Sequence, residues 1–114
     1  MHLTPSLQDD ALCLLIEEDR IDAAVAVQFK DRVRTHLSDH KGRVILDLQH
    51  VDFIDSSGLG ALVSVMKSLP QGTPLELVSL TPIVTKVIRL TRMDSVFVVH
   101  DTMNAALGTG QSAA

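Results

Sequence analysis

The chain has 114 residues, 10 of them basic and 14 acidic, for a formal charge of −4 with its five histidines neutral. At roughly 150 residues per domain it is one domain, and its acidity excludes nucleic-acid binding driven by bulk charge. With 46% hydrophobic residues but three Phe and no Trp or Tyr, the core is aliphatic and platforms for stacking bases or sugars are missing.

Leu3 to Leu7 is a short segment tolerable only as an edge strand, because Pro5 cannot donate to a ladder. Gln8, Asp9 and Asp10 form a turn, and Ala11 to Glu17 follows as a buried strand, so the chain opens with a hairpin. The apolar run within that strand, Ala11 to Ile16, is far short of the roughly 18 residues that cross a bilayer. No Lys or Arg precedes Arg20, so the positively charged start of a secretory leader is not expected, and a cytoplasmic protein is. The single cysteine, Cys13, cannot form an internal disulfide and reads as a buried, inert thiol.

Asp22 stands where an N-cap belongs, and Ala26, Phe29, Val33 and Leu37 recur on one helical face. Lys41 and Gly42 end that helix, and Arg43 to Leu48 reads as a strand covered on both sides. Leu59, Leu62, Val63, Met66 and Leu69 form the stripe of a second helix closed by Pro70, Gln71 and Gly72. Leu75 to Leu80 is the next strand. Thr81-Pro82 then starts a third helix with Ile83, Val84, Val87, Ile88 and Leu90 as its apolar residues. Val96 to Val99 is a last strand, and Asp101 or Thr102 caps a short helix through Leu107. The order β-β-α-β-α-β-α-β-α implies a single α/β domain over residues 1–108. Its sheet is mixed and mostly parallel, with an N-terminal hairpin and helices packed on it. The small, polar residues 109–114 read as a frayed, flexible tail.

The most informative stretch is Phe53-Ile54-Asp55-Ser56-Ser57-Gly58-Leu59-Gly60. It sets two hydroxyls and a carboxylate at the mouth of the second helix, where free N–H groups and the helix dipole favour an anion such as phosphate. Asp55, Ser56 or Ser57 can serve simply as the cap. Gly58 and Gly60, each costing roughly 1 kcal/mol in a helix relative to Ala, point to something that needs the space. The spacing fits neither a nucleotide phosphate loop, which needs a following lysine, nor a nucleophile elbow. No histidine can be placed beside the serines as a base.

Asp55-Ser56-Ser57-Gly58-Leu59-Gly60 resembles the signature of the STAS-domain anti-sigma factor antagonists. Leu12 to Ile16, Ile21-Asp22, Val44 to Leu48 and Val51 to Ile54 fall where that family has its matching segments. The resemblance implies partner switching. An unphosphorylated antagonist of this family binds a serine kinase of the histidine-kinase-like ATPase type, which is also the anti-sigma factor, and displaces its target. The kinase phosphorylates the serine after the motif's aspartate, here Ser56, and a phosphatase reverses this. By the same resemblance Asp22 matches an acidic position used in kinase interaction, and Asp55, Ser57, Gly58, Leu59 and Gly60 belong to the partner-binding loop. Asp19 stands where family members commonly carry glycine, so the turn before Asp22 is reshaped. The resemblance implies no catalysis by the chain itself, no cofactor, no metal and no direct contact with nucleic acid or membrane. A monomer is expected, because no extended apolar face is left over.

A phosphate on Ser56 would add about −1.5 to −2 charges beside Asp55, loosening a complex through repulsion and desolvation without refolding the domain. The alternative within the family is a module that regulates a target other than a sigma factor, or that binds a small molecule or nucleotide without phosphorylation. A phospho-aspartate receiver conflicts with the order of elements, since Asp9-Asp10 precedes the first buried strand and the last lysine, Lys86, lies in the third helix. His36 and His40 fall where the first helix ends, which disfavours a metal pair. Lys86, Arg89 and Arg92 read as a solvated basic stripe.

Overall fold

The structure, a computed structural model, describes residues 1–110. Strands β1 (Leu3–Gln8) and β2 (Ala11–Ile16) form the opening hairpin. Its turn is shorter than expected, since Gln8 still pairs with Ala11 and only Asp9 and Asp10 are left over, with φ of 52° and 66°. Two left-handed residues give the twist of a tight hairpin, and aspartate tolerates that region. A two-residue strand, β3 (Arg20–Ile21), precedes helix α1 (Ala26–Leu37), and β4 (Val44–Asp47) follows it. A second two-residue strand, β5 (Phe53–Ile54), runs into α2 (Ser56–Ser68). Then come β6 (Leu75–Val78), α3 (Pro82–Leu90), a 3-10 turn (Met93–Ser95), β7 (Val98–His100) and α4 (Met103–Gly110).

The main sheet has the order β1-β2-β4-β6-β7, parallel throughout except for the hairpin. Because each new strand is added on the same side of the last, right-handed crossovers place α1, α2 and α3 on one face. The burial pattern agrees. Leu12, Leu14, Val44, Leu46, Leu75 and Leu77 pack in one cluster with Phe29 and Val33 of α1, Leu62 and Val65 of α2, and Val84 and Ile88 of α3. The alternate residues Ala11, Cys13, Ile45 and Val78 pack with Met103, Ala106 and Leu107 of α4 on the other face. Strand β4 is therefore buried on both sides, which is why it reads as an unbroken apolar run. A sheet wound in one direction has no point where the strand order reverses, the crevice in which open α/β sheets usually hold nucleotides.

Several elements depart from the expected boundaries. The pair β3–β5, parallel and separate from the main sheet, is additional. Two residues are too few to show alternation, although Ile21 and Ile54 point inward and Arg20 and Phe53 outward. Asp22 is not the cap of α1: the cap position is Val25, without a side-chain bond. Asp22 instead closes the preceding turn, its carbonyl accepting from the N–H groups of Val25 (3.1 Å) and Ala26 (2.8 Å) and its Oδ1 from that of Ala24 (3.0 Å). Local side-chain bonding of this kind is what aspartate favours outside helices.

In α2 the buried line is Gly58, Ala61, Leu62 and Val65, with Leu59, Val63 and Met66 half-buried beside it. In α3, Val84 and Ile88 are inward while Ile83 (58% exposed) and Leu90 (74%) face solvent. The last strand starts at Val98 because the turn Met93–Ser95 captures Val96 and Phe97, whose N–H groups bond to Met93 O. Helix α4 is capped by Thr102, whose Oγ1 accepts from Ala105 N–H at 3.0 Å, and it continues past Leu107 to Gly110. Of the expected tail, residues 111–114 lie outside the described residues.

Candidate functional site

Strand β5 delivers the chain directly to the mouth of α2, and Asp55 ties that mouth together. Its Oδ1 accepts the Gly58 N–H (2.9 Å) and its Oδ2 the Ala23 N–H (3.2 Å), while its own N–H donates to Ile21 O (3.4 Å). Both carboxylate oxygens are thus engaged within the chain, one as the cap of α2 and one on the turn after β3. Asp55 holds two loops in register and so sets the frame of the site.

The two motif glycines do different things. Gly58 is buried, and a Cβ there would lie 2.0 Å from Ile21 O and 2.8 Å from Ile54 Cγ1. The close approach it permits is therefore between α2 and β3, inside the fold, rather than to an incoming molecule. Gly60 has nothing within 4 Å of where its Cβ would be and is exposed. It lines a shallow hollow between α1 and α2 together with Val27, Lys30 and Ser57. Leu59 is half-buried against the core. Ser56 and Ser57 are exposed at the first two positions of α2, where helix N–H groups lack intrahelical partners and the dipole is positive.

Asp22 reaches the same neighbourhood from β3. Arg20 Nε donates to Asp22 Oδ2 at 3.1 Å, and the Arg20 guanidinium lies 4.3 Å from the centre of the Phe53 ring. The Arg20 hydrogen bond holds the Asp22 carboxyl below the usual carboxylate range, helped by the Ala24 N–H and opposed by desolvation. Arg20 and Phe53 were not legible as site residues; their signal is the pairing β3–β5, which sets them opposite each other. Ahead of Asp22, Glu17 accepts from the Thr4 hydroxyl of β1 and Glu18 accepts the His2 N–H (2.9 Å) just before β1. With Asp19 and His50 they line an open depression.

Away from this site, Arg43 donates twice to buried Glu76 (2.9 and 2.6 Å) and once to Ala106 O (2.8 Å), and His100 Nε2 lies 2.8 Å from Glu76 Oε1. Burial pushes the Glu76 carboxyl up, but the bonds to Arg43 and His100 outweigh it and the net shift is downward. This network locks α4 to the sheet. Cys13 is buried beside Met103, and burial raises its thiol pKa. His40 bonds to Arg43 O (2.9 Å) beyond the end of α1. Among the described residues no group of three or more His, Cys, Asp or Glu is arranged to hold a metal ion, and no helix is long and apolar enough to cross a membrane.

The sequence model of the STAS domain matches residues 6–106. The chain belongs to the STAS-domain family. This STAS domain is 30% identical over 100 residues to a Thermotoga maritima protein provisionally assigned as an anti-sigma factor antagonist, covering 86% of this chain and 88% of that one. It is 29% identical over 105 residues to BtrV of Bordetella bronchiseptica, provisionally assigned the same role, covering 91% and 90%. Among solved structures, a Thermotoga maritima protein provisionally assigned as an anti-sigma factor antagonist superposes with a TM-score of 0.81 at 27% identity, over 94% of this chain and 92% of that one. SpoIIAA in its unphosphorylated form shares the fold, with a TM-score of 0.77 at 16% identity over 99% of both chains.

Proposed function

We propose that this STAS domain is an anti-sigma factor antagonist, and that its unphosphorylated form binds a serine kinase of the histidine-kinase-like ATPase type which doubles as the anti-sigma factor. Phosphorylation of Ser56 switches that binding off, and a phosphatase restores it. The observation that carries the reading is the exposed Ser56 residue at the first position of α2, in a frame fixed by Asp55, which also holds the turn at Ala23 that follows Asp22. The roles given to relatives point the same way, and SpoIIAA has been solved in a phosphorylated form that keeps the fold shared here (TM-score 0.68).

The chemistry asked of the chain is modest. The Ser56 oxygen takes the terminal phosphoryl group of ATP in the kinase's active site, ADP leaves, and the hydroxyl proton passes to a base on the kinase. The added charge of about −1.5 to −2 arises where Asp22, Ser57, Leu59 and Gly60 would meet the partner. Buried repulsion and the cost of desolvating the phosphate weaken the complex, while the helix mouth stabilises the phosphate on the free domain. The interface, not a refolded domain, is what reads the modification. On this reading the protein acts as a cytoplasmic, monomeric regulator that uses no cofactor and catalyses nothing itself.

Immobilised Ser56→Ala and Ser56→Asp proteins, exposed to extract of native cells, test the reading through the amount of histidine-kinase-like ATPase each retains. The Ala protein is expected to hold it and the Asp protein to lose most of it. Equal retention by both would remove the charge mechanism.

A further inference from the structure

Arg20 is exposed, yet two contacts fix where its charge lies: the bond to Asp22 Oδ2 at 3.1 Å and the Phe53 ring at 4.3 Å. The parallel register pairs Arg20 with Phe53 and Ile21 with Ile54, and the next step brings the Asp22 turn beside Asp55, where Ala23 N–H bonds to Asp55 Oδ2. Ser56 follows Asp55 directly. The Arg20 guanidinium thus stands over Phe53, on the strand pair whose β5 member runs directly into the mouth of α2. Another cation, Lys30, lines the hollow that contains Ser57 and Gly60.

We propose, on the basis of the phosphorylation reading above, that Arg20 is the internal counter-charge of the switch: it pairs with Asp22 while Ser56 is free and transfers to the phosphate when Ser56 carries one. Guanidinium is the suited group, since its planar fork meets phosphate oxygens two at a time, whereas an ammonium acts as a point charge. The Phe53 ring keeps the guanidinium on this side of the site through both states. Transfer alters two charges at the interface. The phosphate is partly neutralised from within, and Asp22 loses the partner that oriented it and now stands uncompensated toward the kinase. Arg20 is a positioning residue for Asp22 in one state and for the phosphate in the other.

The test places phosphoserine at position 56 during translation, so that no kinase is needed, in the wild type and in Arg20→Ala, Arg20→Gln and Lys30→Ala proteins. Phosphorus NMR titration then follows the second ionisation of the phosphate, ordinarily near about pH 6. Loss of the Arg20 charge is expected to raise that ionisation by about half a unit or more, in line with the effect of an adjacent opposite charge. Lys30→Ala is expected to leave it unchanged. Carbon NMR of the Asp22 carboxyl is expected to show its pKa rising toward the ordinary value when Ser56 is phosphorylated in the wild type. Arg20→Gln keeps a hydrogen-bonding side chain of similar reach, and amide spectra report whether β3–β5 stays paired. Identical phosphate titrations in the wild type and Arg20→Gln would overturn the proposal, as would a larger effect from Lys30→Ala. Either result leaves the phosphorylation reading intact, because that reading fails on a different finding, an unmodified Ser56 in cells.

Discussion

Replacing each motif glycine by alanine separates their two roles. At Gly58 the new methyl would meet Ile21 O at 2.0 Å and Ile54 Cγ1 at 2.8 Å, whereas even a weak C–H···O contact needs about 3.3 Å. Either α2 or β3 must therefore retreat by more than about 1 Å, since the obstacle is backbone and cannot rotate away. Such a shift strains the two bonds that cross this seam, Asp55 N–H to Ile21 O and Ala23 N–H to Asp55 Oδ2. Overpacking costs about 1–3 kcal/mol and each lost bond about 1, against a gain of about 1 from helix propensity, for a net loss of about 2–4 kcal/mol. In a domain of this size that lowers Tm by roughly 10–20 °C. Gly60→Ala meets nothing within 4 Å and is expected to stabilise α2 by up to about 1 kcal/mol. It also places a methyl on the face where the kinase would dock. Calorimetry and urea unfolding read both variants. A Gly58→Ala protein as stable as wild type, or a Gly60→Ala protein that is the less stable of the two, would refute the assignment of Gly58 to internal packing.

Asp55→Ala removes the cap of α2 and the acceptor for Ala23 N–H, and urea unfolding is expected to show a loss of about 1–2 kcal/mol. Asp22→Ala is expected to weaken kinase binding in a titration while leaving the urea midpoint nearly unchanged, since α1 starts at Ala26 without its side chain; loss of cooperative unfolding would make Asp22 structural instead. The depressed Glu76 pKa contributes stability that is fully present above the unfolded carboxylate value and is lost as pH falls through the lower folded value. Glu76→Gln removes that titration, so its stability measured from pH 7 down to about pH 3 is expected to fall less steeply than that of the wild type. Parallel curves for the two proteins would contradict the role given to the Arg43–Glu76 pair.

What could be read from the sequence was whatever repeats or caps within one element. The run Val44-Ile45-Leu46 marked a strand covered on both faces, and Thr81-Pro82 marked the start of α3. Asp55 at the head of a helix was readable as a cap, but its second bond, to Ala23, joins residues far apart in the chain and leaves no local trace. The same holds for β3–β5, whose strands are too short for a period, and for the contact that makes Gly58 a glycine. The periodicity of α3 was real, yet it could not show that Ile83 and Leu90 lie on the solvent side, because apolar residues there follow the same spacing as a wider buried stripe. Nothing local in the sequence links Glu76 to Arg43; the parallel pairing of β4 with β6 brings them together.

The central claim is that Ser56 is the residue the cell modifies. Isolating the protein from its native cells with phosphatases blocked, and mapping its phosphopeptides by mass spectrometry, tests this most directly. The account predicts phosphate on Ser56, with its proportion changing between growth conditions. An unmodified Ser56 under every condition, alongside a control phosphopeptide recovered intact, would contradict it.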